Sequence, residues 1–199
     1  LILTNTANPD ATVTIKSDYP TVTKKIKEDD NGMGWNDVGD YEIGQTVPYY
    51  YSSVVPNMNG YDTYKYVFHD KMDEALTFHK DSVNVTISNG TKTYTLKNNE
   101  FAINTDAGED TFNVTINDLK SIVDRQFSEG FNNLKENAYG QTIHLSYNAT
   151  LNDKASTRTG RGGFENAVRL EFSNNPDSDG VGSTGTTPWD TVVCFTYKI

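Results

Sequence analysis

The sequence predicts an all-β protein: an antiparallel β-sandwich with one helical insertion. Three observations carry that expectation. Ten short runs rich in Val, Ile, Thr, Tyr and Phe recur along the 199 residues, and most of them alternate apolar with polar side chains, as half-buried strands do. The connections between them are polar and turn-rich, without the regular strand–helix alternation of a βαβ fold. One stretch alone, INDLKSIVDRQFSEGFNNLKENAYG, changes to helical spacing.

The elements follow in order. Residues 1–16 read as an edge strand or the tail of a preceding module, and 17–199 as one domain. Strand-like runs lie at 11–18 (ATVTIKSD), 21–27 (TVTKKIK), 41–55 (YEIGQTVPYYYSSVV), 61–70 (YDTYKYVFHD), 82–89 (SVNVTISN) and 91–98 (TKTYTLKN). Four more follow at 110–118, 141–152, 165–174 and 190–199. SNGT at 88–91 is a hairpin signal. The helical insertion covers about 118–135, with Leu119, Ile122, Val123, Phe127 and Phe131 on one face and Asn117 or Asp118 as cap. Polar loops are expected at 28–40, 99–110, 153–164 and 174–189.

Composition narrows the function classes. A net charge of −10 argues against nucleic acid, whose phosphates need a basic footprint, and against docking on anionic lipid. No apolar run approaches the length of a membrane span. The chain does not begin with Met and carries no signal peptide, which suggests a mature protein or an excised fragment. The single cysteine, Cys194, lies in a strand-like run and reads as a small buried hydrophobe. Few cysteines, an Asn/Thr/Asp/Gly/Tyr bias and 13 Lys against 4 Arg favour a disulfide-free Gram-positive surface protein over a cytosolic one.

Conventional chemistry finds little support. NPDSDGVG and KEDDNG set carboxylates beside glycines, but neither completes a calcium loop. His69, His79 and His144 are scattered without zinc spacing. No metal and no cofactor is expected. There is no nucleophile elbow and no Cys–His context for an enzyme acting on an external substrate.

Polar residues on apolar strand faces stand out instead. Lys24 shares a face with Val22 and Ile26, whereas Lys25 points the other way. Asp70 shares parity with Tyr66 and Phe68, and Asn174 continues the face of Val168, Leu170 and Phe172. A buried polar group costs free energy unless it is partnered, so a Lys, an Asp and an Asn facing inward are expected to meet. Burial would lower the Lys24 pKa and raise that of Asp70. A neutral Lys24 amine could then attack the Asn174 carboxamide, with Asp70 shuttling protons and ammonia leaving. Lys24 and Asn174 would be crosslinked by an isopeptide bond in a single turnover, and Asp70 would be its catalyst. Lys25 and Asn175 are the neighbouring alternatives.

Here the chain resembles the isopeptide-forming second domain of Gram-positive fimbrial backbone proteins, an Ig-like sandwich of the collagen-adhesin (CnaA) type. SDYPTVTKKI is similar to the family's lysine strand, and YEIGQTVPYY to the strand after it. YDTYKYVFHDKMDEALTFHKDSVNVTI resembles the segment bearing the acid, HLSYNATLNDKA a later strand, ENAVRLEFSNNP the asparagine strand and TPWDTVVCFTYKI the closing strand. The likeness spans about 17–199. It implies a Lys–Asn isopeptide with an acidic catalyst, falling by position on Lys24, Asn174 and Asp70. It also implies a structural, non-enzymatic stalk domain on the extracellular, wall-attached surface, whose partners are neighbouring domains or pilin subunits of the same parent protein. Departures are DKMDEAL in place of a Pro-Gly turn, the long helical insertion, Cys194, and the lack of an LPxTG signal or a YPK lysine motif. A ligand-binding adhesin module for a host matrix protein or glycan, using YYYSSVVPNMNGYDTY, is the alternative.

Overall fold

The computed structural model describes residues 19–28, 34–127, 138–159, 162–176 and 183–197. The expected strand at 11–18 and the tail at 1–16 lie outside the described residues. Numbered in chain order, thirteen strands build two facing sheets. The first runs β2 (Trp35–Asn36), β1 (Val22–Lys27), β4 (Thr46–Val54), β10 (Thr142–Leu151), β6 (Leu76–Ser88), β7 (Thr93–Thr95). The second runs β3 (Val38–Asp40), β13 (Asp190–Phe195), β11 (Phe164–Ser173), β5 (Tyr66–Met72), β9 (Phe112–Ile116), β8 (Ala102–Asn104), with β12 (Thr184–Thr186) also paired to β11. All described pairings are antiparallel except β13 with β3. The architecture is the sandwich that the alternating runs predict.

Alternation is the reason these segments form strands with a defined inner face. Along β10, Ile143, Leu145, Tyr147, Ala149 and Leu151 are buried and the residues between them are half-buried. Along β11, Phe164, Asn166, Val168, Leu170 and Phe172 are buried. A one-residue slip would turn every one of these outward, so burial itself fixes the register. The two inner faces interdigitate through rings: Phe78 of β6 stacks on Phe112 of β9 at 3.7 Å, and Tyr51 of β4 meets Phe68 of β5 at 5.4 Å.

The expected hairpin forms between β6 and β7, with Ser88 opposite Thr93 and Gly90 at φ 95°. A helix, α1 (Leu119–Phe127), stands where helical spacing begins, and its Leu119, Ile122, Val123 and Phe127 are buried. Asp118 is the cap: its Oδ1 accepts from the Ser121 amide at 3.2 Å. The remainder of the expected insertion falls mostly on 128–137, outside the described residues.

The expected polar loops at 28–40, 99–110 and 174–189 in fact contain β2 and β3, β8, and β12 respectively. These strands of two or three residues are too short to carry a legible alternation. They exist because a longer neighbour offers unpaired backbone groups.

Candidate functional site

β1 places Lys24 at the middle of the sandwich. It pairs with Tyr51 of β4, which pairs in turn with Leu145 of β10. Strand parity therefore aims Lys24 at the facing sheet, and the side chain is fully buried. No bulge interrupts the pairing of β1 with β4 from Val22 to Ile26. Lys25 points outward, half-exposed, and forms an ion pair with Asp37 at 2.7 Å.

Opposite Lys24, β5 and β11 are adjacent strands. Asp70 lies across from Val168, and Asn166 across from Met72, so Asp70 and Asn166 are diagonal neighbours on one inner face. Both are fully buried. Lys24 Nζ donates to Asp70 Oδ2 at 2.6 Å, and also to Asn166 Oδ1.

The asparagine of the pocket is thus Asn166, and the sequence-based choice of Asn174 is corrected. Asn174 lies just past the end of β11, exposed, accepting from the Ser183 hydroxyl at 2.6 Å; Asn175 is exposed beside it. Both asparagines share the face of Val168, Leu170 and Phe172 and differ in their place along the strand. Asn166 has Phe164 and Val168 on either side of it on that face, whereas Asn174 has apolar neighbours on one side only. That enclosure was the available signal.

A ring of phenols completes the pocket. Lys24 Nζ lies 5.3, 5.1 and 5.4 Å from the ring centres of Tyr49, Tyr51 and Tyr147, a cation–π environment for an ammonium. Tyr51 and Tyr147 both donate to Asp70 Oδ2, the latter at 2.8 Å. Tyr147 Oη also accepts from Lys24 Nζ at 3.0 Å and from Asn166 Nδ2 at 2.6 Å. Asp190, at the start of β13, accepts the Lys24 backbone N–H at 2.7 Å and so anchors the lysine strand to the second sheet.

Electrostatics follow from burial. Desolvation pulls the Lys24 ammonium down from 10.5 to about 8, against the opposing pull of Asp70. Desolvation also raises the Asp70 carboxyl above its usual 3.8, against the opposing effects of Lys24 and the two phenols. Both shifts move the pair toward its neutral form, amine and carboxylic acid. Chemically, the site can host a nucleophilic nitrogen, an acid and a carboxamide in mutual contact.

A scan of protein-family models finds no match, and a comparison with curated proteins finds none either. Solved structures do match. The major pilin subunit BcpA of Bacillus cereus aligns with a TM-score of 0.61 over 89% of this chain and 40% of its own, at 18% identity. The 35 kDa C-terminal fragment of the major pilin of Streptococcus agalactiae aligns at 0.60 over 90% of this chain and 57% of its own, at 20% identity. The chain has the fold of a Gram-positive major-pilin domain. The full-length major pilin SpaD of Corynebacterium diphtheriae matches too, at 0.52 over 87% of this chain and 35% of its own, with 17% identity. The chain thus covers 35% to 57% of the length of these solved chains.

Cys194 is buried, and desolvation pushes its thiol up to about 12. His144 lies on the outer face of β10, edge-on to Tyr50 at 5.0 Å. KEDDNG and NPDSDGVG lie largely outside the described residues. Among the described residues no group of three His, Cys, Asp or Glu side chains could hold a metal, and no helix is long and apolar enough to cross a membrane. In the tyrosine-rich stretch, Tyr49, Tyr51 and Tyr64 are buried in the core.

Proposed function

We propose that the chain is a load-bearing domain of a Gram-positive pilus backbone, locked by an autocatalytic isopeptide bond between Lys24 and Asn166 with Asp70 as proton shuttle. The observation that carries this reading is the buried contact of Lys24 with both Asp70 and Asn166, bridging the two sheets of a pilin-like sandwich. A Lys–Asp–Asn set in a dry core has no external substrate to reach. Its members can react with one another, once each.

In the reaction Lys24 Nζ gives a proton to Asp70 and attacks Asn166 Cγ, and the carboxamide nitrogen departs as ammonia. The product joins the first described strand to β11 across 142 positions of chain. Tension applied along the parent protein would then travel through a covalent bond rather than through strand hydrogen bonds. The surface location, polymerisation with other pilin subunits and wall attachment belong to the parent protein under the same reading.

Intact mass spectrometry tests the proposal. The expected mass is one ammonia below that of the sequence, and tandem spectra should show a branched peptide linking Lys24 to Asn166. A full sequence mass, or a branch ending on Asn174, would sink the assignment.

A further inference from the structure

We propose that Tyr147 is the proton relay of the crosslinking reaction, delivering a proton from Asp70 to the departing amide nitrogen of Asn166; this rests on the Lys24–Asn166 reading above. An amide nitrogen is a poor leaving group until it is protonated, and Asp70 hydrogen-bonds Lys24, Tyr51 and Tyr147 through Oδ2. The leaving nitrogen, Asn166 Nδ2, donates to the Tyr147 hydroxyl at 2.6 Å.

Tyr147 Oη touches all three reacting side chains, at 3.0 Å from Lys24 Nζ, 2.8 Å from Asp70 Oδ2 and 2.6 Å from Asn166 Nδ2. Three hydrogen bonds therefore connect the groups in series: Nζ donates to Oδ2 (2.6 Å), Oη donates to the same Oδ2 and Nδ2 donates to Oη, and the relay reverses the last two once Nδ2 is an amine on the tetrahedral centre. The ring is held in place. It stacks on Tyr49 at 5.5 Å and meets Phe112 and Phe78 edge-on at 5.1 and 5.5 Å. β10 keeps its regular pairing with β4 at this point, Tyr147 opposite Tyr49, and its unbroken alternation points the ring inward.

The steps balance. The ammonium of Lys24 gives one proton to the Asp70 carboxylate. The amine attacks Asn166 Cγ, forming the C–N bond. As the tetrahedral centre collapses, Tyr147 passes its hydroxyl proton to Nδ2 and takes the Asp70 proton in exchange, while Asp70 accepts the second proton shed by Nζ. The Cγ–Nδ2 bond breaks, ammonia leaves, and the products are a neutral amide, a neutral phenol and protonated Asp70. Burial sets the Tyr147 phenol well above its usual 10, which disfavours a free phenolate, so its two transfers are coupled.

The test follows ammonia loss over time in the whole chain made by cell-free synthesis, quenched in acid and read by intact mass. Tyr147→Phe keeps the ring and is expected to slow the reaction about a hundredfold, the usual weight of one proton-transfer group, and to reduce the solvent deuterium effect. Tyr51→Phe, which removes a phenol bonded to Asp70 but not to Asn166, should slow it less. A Tyr147→Phe chain that reacts at the unmodified rate, or no more slowly than Tyr51→Phe, overturns the relay while leaving the crosslink standing. Persistent ammonia loss in Lys24→Ala or Asn166→Ala overturns the crosslink itself. Folding is checked by adding Tyr147→Phe to the Asn166→Ala chain and comparing urea midpoints. Should that chain fail to fold, a single fluorotyrosine at position 147 replaces it, and a rate unchanged within about twofold counts against the relay.

Discussion

Lys24 Nζ and Asp70 Oδ2 lie 2.6 Å apart with neither side chain reaching solvent. Such a pair is weak evidence for stability, because desolvating two charges costs about as much as their attraction returns. Both groups are shifted toward neutrality, and Asn166 touches the same nitrogen. The pair makes better sense as a reactant held ready than as a salt bridge.

Asn166 and Asn174 should behave differently when truncated. Closing a loop of 142 positions restricts the unfolded chain by about 5 kcal/mol. Asn166→Ala is therefore expected to restore the full sequence mass and to lower Tm by about 10–20 °C. Asn174→Ala removes one exposed contact to Ser183 and should change stability by no more than about 0.5 kcal/mol. Calorimetry on the two variants checks both.

The sequence made the sandwich legible because its long strands alternate cleanly, and the same parity separated Lys24 from Lys25. It located Asp70 for the same reason. Parity did not separate Asn166 from Asn174, since both satisfy it. Enclosure between Phe164 and Val168 favours Asn166, and the pairing of Asn166 with Met72 and of Asp70 with Val168 places it under Lys24. Alternation places Tyr147 on the inner face of β10 with Ile143 and Leu145. Its role depends on where Oη ends, which no periodicity reports.

Removing the acid should cost stability beyond the loss of the bond. In the Asn166→Ala chain, adding Asp70→Ala strands the Lys24 amine in the core and is expected to destabilise by about 3–5 kcal/mol. Replacing both partners together, Lys24→Met with Asp70→Leu, should recover most of that loss, because no buried charge remains. Urea unfolding of Asn166→Ala, of that chain with Lys24→Met, with Asp70→Leu, and with both forms a double-mutant cycle. A double variant as unstable as Asp70→Ala alone would contradict the coupling.

Stability of the uncrosslinked chain should depend on pH with a definite sign. The folded Lys24 pKa is depressed to about 8 from 10.5. Between those values the unfolded chain binds a proton that the folded chain does not, so in Asn166→Ala stability rises as pH climbs from 8 to 10.5. Asp70 acts in the opposite direction, since its folded pKa is raised: stability falls as pH climbs above 3.8. A stability minimum between these two windows is expected from urea titrations. The Lys24 rise should vanish in Lys24→Met with Asn166→Ala. It should also vanish in the crosslinked protein, where Lys24 is an amide without a titrating proton.

Force should separate the crosslinked from the uncrosslinked domain most directly. With Lys24 joined to Asn166, the chain between them cannot be drawn out when the ends are pulled. The remaining segments can extend, but the 142 positions enclosed contribute nothing to the length gained. Fully stretched chain spans up to about 3.5 Å per residue, so Asn166→Ala should release roughly 500 Å of additional contour length. Single-molecule extension between handles at the two termini measures it. A wild-type domain that unravels to the same length as Asn166→Ala would mean that no bond shields the interior, and the load-bearing role would lose its physical basis.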